Sequence, residues 1–296
     1  MKEVKINKND ANQRLDKFLL KTFPNLSKSM MYKAIRNKKI KVNRKRCQFN
    51  QILDENDIVL LFLAPDVLEE KKSETFQYVS SELDVVYEDD NILIVNKPYG
   101  LLSQSDKKGV QDCLVSRVQG YLYEKKEYDP ANEHSFAPTI CHRLDRNTRG
   151  LVIAAKNAKA LRSVNEAIAA REITKIYKAS VSGIFDEKDF SISCYLKKQD
   201  TKAIVSDTKK EGYALALMDV HVNKQYKDRA DCMITLHTGR FHQIRACMAH
   251  IHHPLVGDIK YGYSGRKEPI DLMAYQLIFH SIDLPLQRKE FKIPKV

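Results

Sequence analysis

The run LVIAA, residues 151–155, restricts this chain more than any other stretch. Its five apolar residues lack the alternation of a strand with one wet face, so they predict a central strand covered on both sides. Immediately before it stands CHRLDRNTRG, residues 141–150, where Arg143, Arg146 and Arg149 surround Asp145. The aspartate therefore lies in the approach to a core strand, where loops present reactive groups. Three readings stay open on these residues alone. The arginines can hold the carboxylate ionised and oriented, since a close opposite charge lowers a carboxylate pKa by about one to three units, a state suited to a nucleophile or electrostatic stabiliser. The group can be a buried structural ion pair. Or the arginines can bind phosphate.

A chain of 296 residues has room for one large core, or a core with a small appended domain. No apolar run reaches the roughly eighteen residues of a membrane span, so no membrane partner is expected. MKEVKINKND lacks the apolar centre of a signal peptide. The six cysteines form no CxxC pair and read as reduced thiols of a cytoplasmic protein. His237, His242, His250, His252 and His253 form no HExxH, and no metal is expected.

Charge is unevenly spread. Residues 1–50 hold 15 Lys and Arg against 3 Asp and Glu, whereas residues 51–90 hold 2 against 12, and the whole chain is +12. A basic head, an acidic joint and a basic body present two positive surfaces to a polyanion. In the head, LDKFLLKTF puts Leu15, Phe18 and Leu19 on one helical face, Pro24 and Asn25 interrupt, and Ser27 can cap a second helix carrying Met30, Met31 and Ile35. IKVN and DENDIVLLFL read as strands. Residues 65–80, mixed in charge, read as a linker.

In the body, VVY and ILIVN are strand-like and end at Lys97, Pro98 and Gly100. NAKALRSVNEAIAA is helical and ITKIYKASVSGIF a strand, in which Lys175, Tyr177 and Ala179 share a face. ADCMITL, a TG turn and a helix follow. Thr238 is expected to cap that helix, with Arg240 at its start. Arg245 is expected to reach Asp145 with a two-donor fork at about 2.7–3.2 Å.

RLDKFL, SKSMMYKAI and KIKVNRK followed by DENDIVLL resemble an S4 RNA-binding domain over residues 12–64. That resemblance implies a shape-reading module for structured RNA, with Lys28, Arg36, Lys38, Lys39 and Arg44 as candidate phosphate contacts. DDNILIVNKPYGL, HRLDRNTRGLVIAAKN, TKIYKA and TGRFHQIRACMAHIHHPLVGDIKYG, in this order, resemble the RluA family of RNA pseudouridine synthases. The implied fold is α+β: a small S4-like head, then a catalytic domain over 81–296 with a mixed, largely antiparallel sheet and flanking helices. The resemblance makes Asp145 the catalytic aspartate, Tyr177 the tyrosine against the target base and Arg245 the aspartate's basic partner. Arg143, with Arg146, Arg149 and Arg240, would hold RNA. The chain departs from HRLDxxTSG at Arg149, and from TGRTHQIRxH at Phe241 and Cys247, which bears on local RNA contacts.

The implied reaction turns uridine into pseudouridine: N1–C1′ breaks, C5–C1′ forms, and no atom is gained, so no cofactor is expected. The nucleotide must leave its stack, at a cost of a few kcal/mol. The expected partner is structured RNA, ribosomal RNA of the large subunit before transfer RNA, met by a monomer. Hydrolysis of the glycosidic bond would need a positioned water and usually a second acid–base group. A non-catalytic RNA-binding or ribosome-assembly role would not need Asp145, Tyr177 and Arg245 together.

Overall fold

The computed structural model describes residues 1–69, 80–106, 112–131 and 133–294. The head is a four-stranded sheet, in the order Lys2–Lys5, Ile58–Leu61, Ile40–Val42, Lys45–Arg46, with helices Leu15–Thr22 and Lys28–Arg36. The second helix starts as expected: Ser27 Oγ accepts the Met30 N–H at 3.3 Å. Phe18, Leu19, Met31, Ile40, Val59 and Leu61 close the core. The sheet begins earlier than residue 12, because Lys2–Lys5 pairs with Ile58–Leu61 and buries Val4. Four residues between lysines leave too short an alternation to stand out. Leu68 is also buried in this core, and residues 70–79 of the expected linker lie outside the described residues.

Head and body meet through polar contacts. Asn9 Nδ2 donates to Glu133 Oε1 at 2.7 Å, and the Ser135 hydroxyl donates to the fully buried Asp10 at 2.5 Å. Gln13 Nε2 donates to Ser135 Oγ at 2.7 Å.

The body is built on one large mixed sheet. Its path runs Lys202–Ser206, Asp189–Gln199, Ala214–Gln225, Arg229–Leu236, Ile173–Ser182, Leu272–Phe279, Arg149–Ala155, Ile92–Lys97, Val85–Glu88. Neighbours are antiparallel except Arg149–Ala155 with Leu272–Phe279. Residues 151–155 are completely buried, as the apolar run predicts. Val152 and Ala154 face one core with Leu114 and Val118 of helix Leu114–Glu124. Leu151, Ile153 and Ala155 face another with Ala160 and Val164 of helix Ala158–Ala169. Each residue of the run thus has an apolar neighbour layer, which is why no polar break is tolerated. Gly150 begins the parallel pairing at φ +119°, and a Cβ there would lie 2.3 Å from the Ala274 carbonyl oxygen. Only glycine lets the two backbones approach this closely.

Candidate active site

Asp145 sits on the loop between strands Thr139–Ile140 and Arg149–Ala155, and the residues after strand Ile92–Lys97 hold that loop. Lys97, with no exposed surface, donates from Nζ to the carbonyls of Leu101 at 2.7 Å, Pro98 at 3.0 Å and Arg146 at 3.2 Å. Gly100 N donates to Arg146 O at 2.9 Å, and Arg146 Nε returns to Gly100 O at 3.0 Å. Ser103 Oγ accepts from Leu144 N and donates to Leu144 O at 2.6 Å. Residues on both sides of the aspartate are therefore pinned, and its carboxylate is left at the junction of two continuous lobes of a cleft, about 500 and 780 Å³.

The expected fork from Arg245 to Asp145 is not formed. Arg245 Nε and Nη2 instead donate to Asp258 Oδ2 and Oδ1 at 2.7 and 2.8 Å. Only Nη1 faces Asp145, 3.9 Å from Oδ2. The reason is desolvation: Asp258 has no exposed surface, and a carboxylate so enclosed requires a two-donor partner. Asp145 opens onto the cleft and keeps solvent on one side.

Arg245 Nη1 also meets His242 Nε2 at 3.1 Å. Burial, reinforced by Arg245, Lys260 and Lys198, pushes the His242 imidazole down to about 3. It is therefore neutral, and Nε2 accepts from the guanidinium while Nδ1–H donates to Tyr261 Oη at 2.8 Å. That oxygen also accepts from Ala203 N at 2.7 Å. His242 takes a left-handed φ of +53° to enter helix Gln243–His250, a local strain of the kind that concentrates at functional sites. Thr238 does not cap this helix. Its hydroxyl accepts from Leu217 N and donates to Gln243 Oε1, and that same oxygen accepts the Arg240 N–H at 3.0 Å. The glutamine that opens the helix closes the turn.

Burial raises the Asp145 carboxyl from its ordinary range, against the opposing pull of Arg245, Arg143 and Lys97. The simple expectation of a depressed value fails because enclosure outweighs the surrounding cations. Burial, then Asp145, raises the Tyr177 phenol, so Tyr177 is neutral; its side chain lines the larger lobe with Asp145. Burial lowers Lys97 to about 8, with Asp145 opposing. His142, lowered by burial and then by Lys175, accepts the Ile153 N–H at 3.2 Å and serves the strand.

Asp145, Arg143 and Arg245 line both lobes; Tyr177 and Arg240 line the larger, Arg146 the smaller. Arg149 lies outside both linings, with Nη2 3.6 Å from Asp271. Lys28, Arg36, Lys38, Lys39 and Arg44 are exposed on the head. Of the departures from the family motifs, Phe241 lines both lobes and stacks on His242 at 3.8 Å. Cys247 is buried against Cys194, with the sulfurs 3.4 Å apart. Asp258, Tyr261 and Ser103 belong to the site without being marked by the sequence, and His242, considered there only as a metal ligand, serves it as a neutral acceptor for Arg245. Asp258 stands within the quoted GDIKYG, but nothing local ties it to Arg245.

The cleft thus brings an open carboxylate, a neutral phenol and an anchored guanidinium together on one large mixed sheet. The family model for RNA pseudouridylate synthase matches residues 91–250, and that for the S4 domain matches 13–59. An RNA pseudouridine synthase of Mycoplasma capricolum is 38% identical, over 97% of this chain and 95% of its own. Ribosomal large subunit pseudouridine synthase D of Salmonella typhimurium is 31% identical, over 89% and 76%. Synthase C of Buchnera aphidicola subsp. Baizongia pistaciae is 31% identical, over 88% and 80%. Human RNA Pseudouridylate Synthase Domain Containing 1 shares the fold, with a TM-score of 0.58 and 24% identity over 73% of this chain and 84% of its own. The chain belongs to the RluA family of RNA pseudouridine synthases.

Proposed function

We propose that this synthase acts on uridines of large-subunit ribosomal RNA, with Asp145 at the reacting ribose, Tyr177 against the uracil and Arg245 positioning the aspartate's charge. The observation that carries the assignment of roles is the placement of Asp145. It is the carboxylate left open where the two lobes join, while Asp258 takes the fork of Arg245. The target rests on relatives named for the large ribosomal subunit and on the S4 head. Arg143 and Arg240 hold the strand around the flipped nucleotide, and the exposed head cations dock the surrounding RNA. The protein acts as a monomer in the cytoplasm, where its substrate is made.

The ionised carboxylate of Asp145 stabilises the positive charge that develops at C1′ as N1–C1′ breaks, or bonds to that carbon. The freed uracil turns within the cleft and C5 joins C1′. The C5 proton then leaves and N1 ends protonated, which balances the isomerisation. Tyr177, as a neutral phenol, has a hydroxyl that both donates and accepts, and so mediates that transfer without standing as phenolate. Arg245 cannot lose its proton. Its contribution is a fixed positive field, held by Asp258, that favours the charged form of Asp145 as the cleft closes around a base.

The test is to map pseudouridines in ribosomal and transfer RNA from cells with the gene, without it, and with only Asp145→Asn. Loss of specific large-subunit sites in both altered strains is expected. Loss confined to transfer RNA would overturn the target.

A further inference from the structure

Lys97 is fully buried in the catalytic domain and Lys175 half-buried in its cleft, and only Lys97 has protein partners for its charge. Lys97 satisfies its ammonium with three carbonyls. The ammonium of Lys175 has no hydrogen bond or ion pair with any described residue. Burial lowers its pKa, and the nearby Cys141 gives it no counter-charge, being a thiol that its own burial holds up to about 12 and hence neutral. A cation partly withdrawn from water without a counter-ion is destabilising and is ordinarily paired. Its surroundings suggest where the missing charge comes from. Lys175 lines the larger lobe together with Asn165, Arg171 and Arg240. It stands two residues from Tyr177 on the same strand and face, roughly 7 Å along the chain.

We infer that Lys175 is a binding site for a backbone phosphate of the RNA strand next to the flipped uridine, with the phosphodiester as the counter-ion the folded protein lacks. The strand would enter the larger lobe beside Arg171, place a phosphate on Lys175, and deliver the next base to Tyr177 and Asp145. An uncharged residue would fit the free protein better at this position, so the lysine's function is met only with RNA in place. Such a site trades stability for binding. The inference rests on the cleft being the RNA site, but not on which RNA is the target.

The experiment compares wild type, Lys175→Met, Lys175→Arg and Lys159→Met, the last an exposed lysine outside the cleft lining. The probe is an unmodified transcript of large-subunit ribosomal RNA, and binding is read directly across a salt series. Lys175→Met is expected to bind about tenfold more weakly and to flatten the log–log salt slope by about 0.7, one phosphate on a single strand. Its Tm without RNA should rise. Lys175→Arg should keep the slope, and Lys159→Met should change neither quantity. An unchanged slope in Lys175→Met would overturn the proposal, as would a lower Tm, which would show a structural partner. A loss confined to kcat, with binding intact, would move Lys175 into the chemistry and also overturn it. If the transcript binds but is not converted, the proposed target fails while the slope still decides the role of Lys175.

Discussion

The head and the cleft use the same kinds of cation in opposite ways. On the head, Lys28, Arg36, Lys38, Lys39 and Arg44 stand exposed, where each contributes a small, salt-screened attraction to any polyanion. Around the cleft, Lys97 is completely buried behind the Asp145 loop and Arg245 is 6% exposed, and each is tied to particular oxygens. Exposed charges add up and replace one another. Enclosed charges act through geometry, and each has its own place. On the proposed roles, affinity for RNA is spread over a surface, whereas catalysis depends on a few fixed side chains.

The largest effect expected on this view is that of Asp145→Asn, which should reduce turnover to the uncatalysed level while leaving RNA affinity near that of wild type. Its stability gives a second reading. The folded state raises the Asp145 pKa, so it holds that proton more tightly than the unfolded chain does. Stability therefore falls as pH rises from the ordinary carboxyl range through the raised value, and at neutral pH the ionised group is a cost. Asp145→Asn should melt no lower than wild type at pH 7. Side-by-side turnover, binding and melting curves check all three expectations.

Next comes Asp258→Asn. Breaking the buried pair should lower stability by about 3 kcal/mol, and a guanidinium no longer held in place should lower turnover by about a hundredfold. Arg245→Lys should fail similarly in turnover, since one ammonium cannot replace the fork to Asp258 and still face Asp145. Denaturant melts and single-turnover kinetics measure these effects. If Asp258→Asn proves harmless to turnover, geometry is not what the enclosed charges contribute, and the contrast with the head collapses.

Removal of residues 1–69 should weaken binding to structured RNA and flatten its salt slope by roughly 0.7 to 0.9 for each phosphate that the head neutralises. Binding isotherms over a salt series decide this, and an unchanged slope would mean that the head does not dock RNA. The smallest effect belongs to a single head cation. Arg44→Gln should change stability by less than about 0.5 kcal/mol and affinity only a few-fold, with turnover on bound RNA unaltered.

How far the sequence can be read follows the same division. Five apolar residues in a row predict a strand covered on both faces, and so place Asp145 at its approach. Alternation puts Lys175 and Tyr177 together. Ser27 is legible as a cap because its partner is three residues away. Sequence alone assigns the fork of Arg245 to the wrong acid, since burial decides between Asp145 and Asp258 and burial belongs to the assembled fold. Thr238 shows the same limit: its hydroxyl serves Leu217 on a neighbouring strand, which no local pattern reveals. The fine placement of Lys97, whose three acceptors are carbonyls, leaves no trace in side-chain spelling.

Strand Leu272–Phe279 lies between the strand that follows Asp145 and the strand that carries Tyr177. The side chains of Asp145 and Tyr177 are therefore brought into register by a piece of chain translated long after both. A growing polypeptide that has released residues 145 and 177 from the ribosome still lacks the spacer that sets their separation. Until that strand is made, the sheet that spaces Asp145 from Tyr177 is incomplete, whereas every element of the head has already been synthesised. On the roles proposed for the two residues, activity waits for the inserted strand to close the sheet.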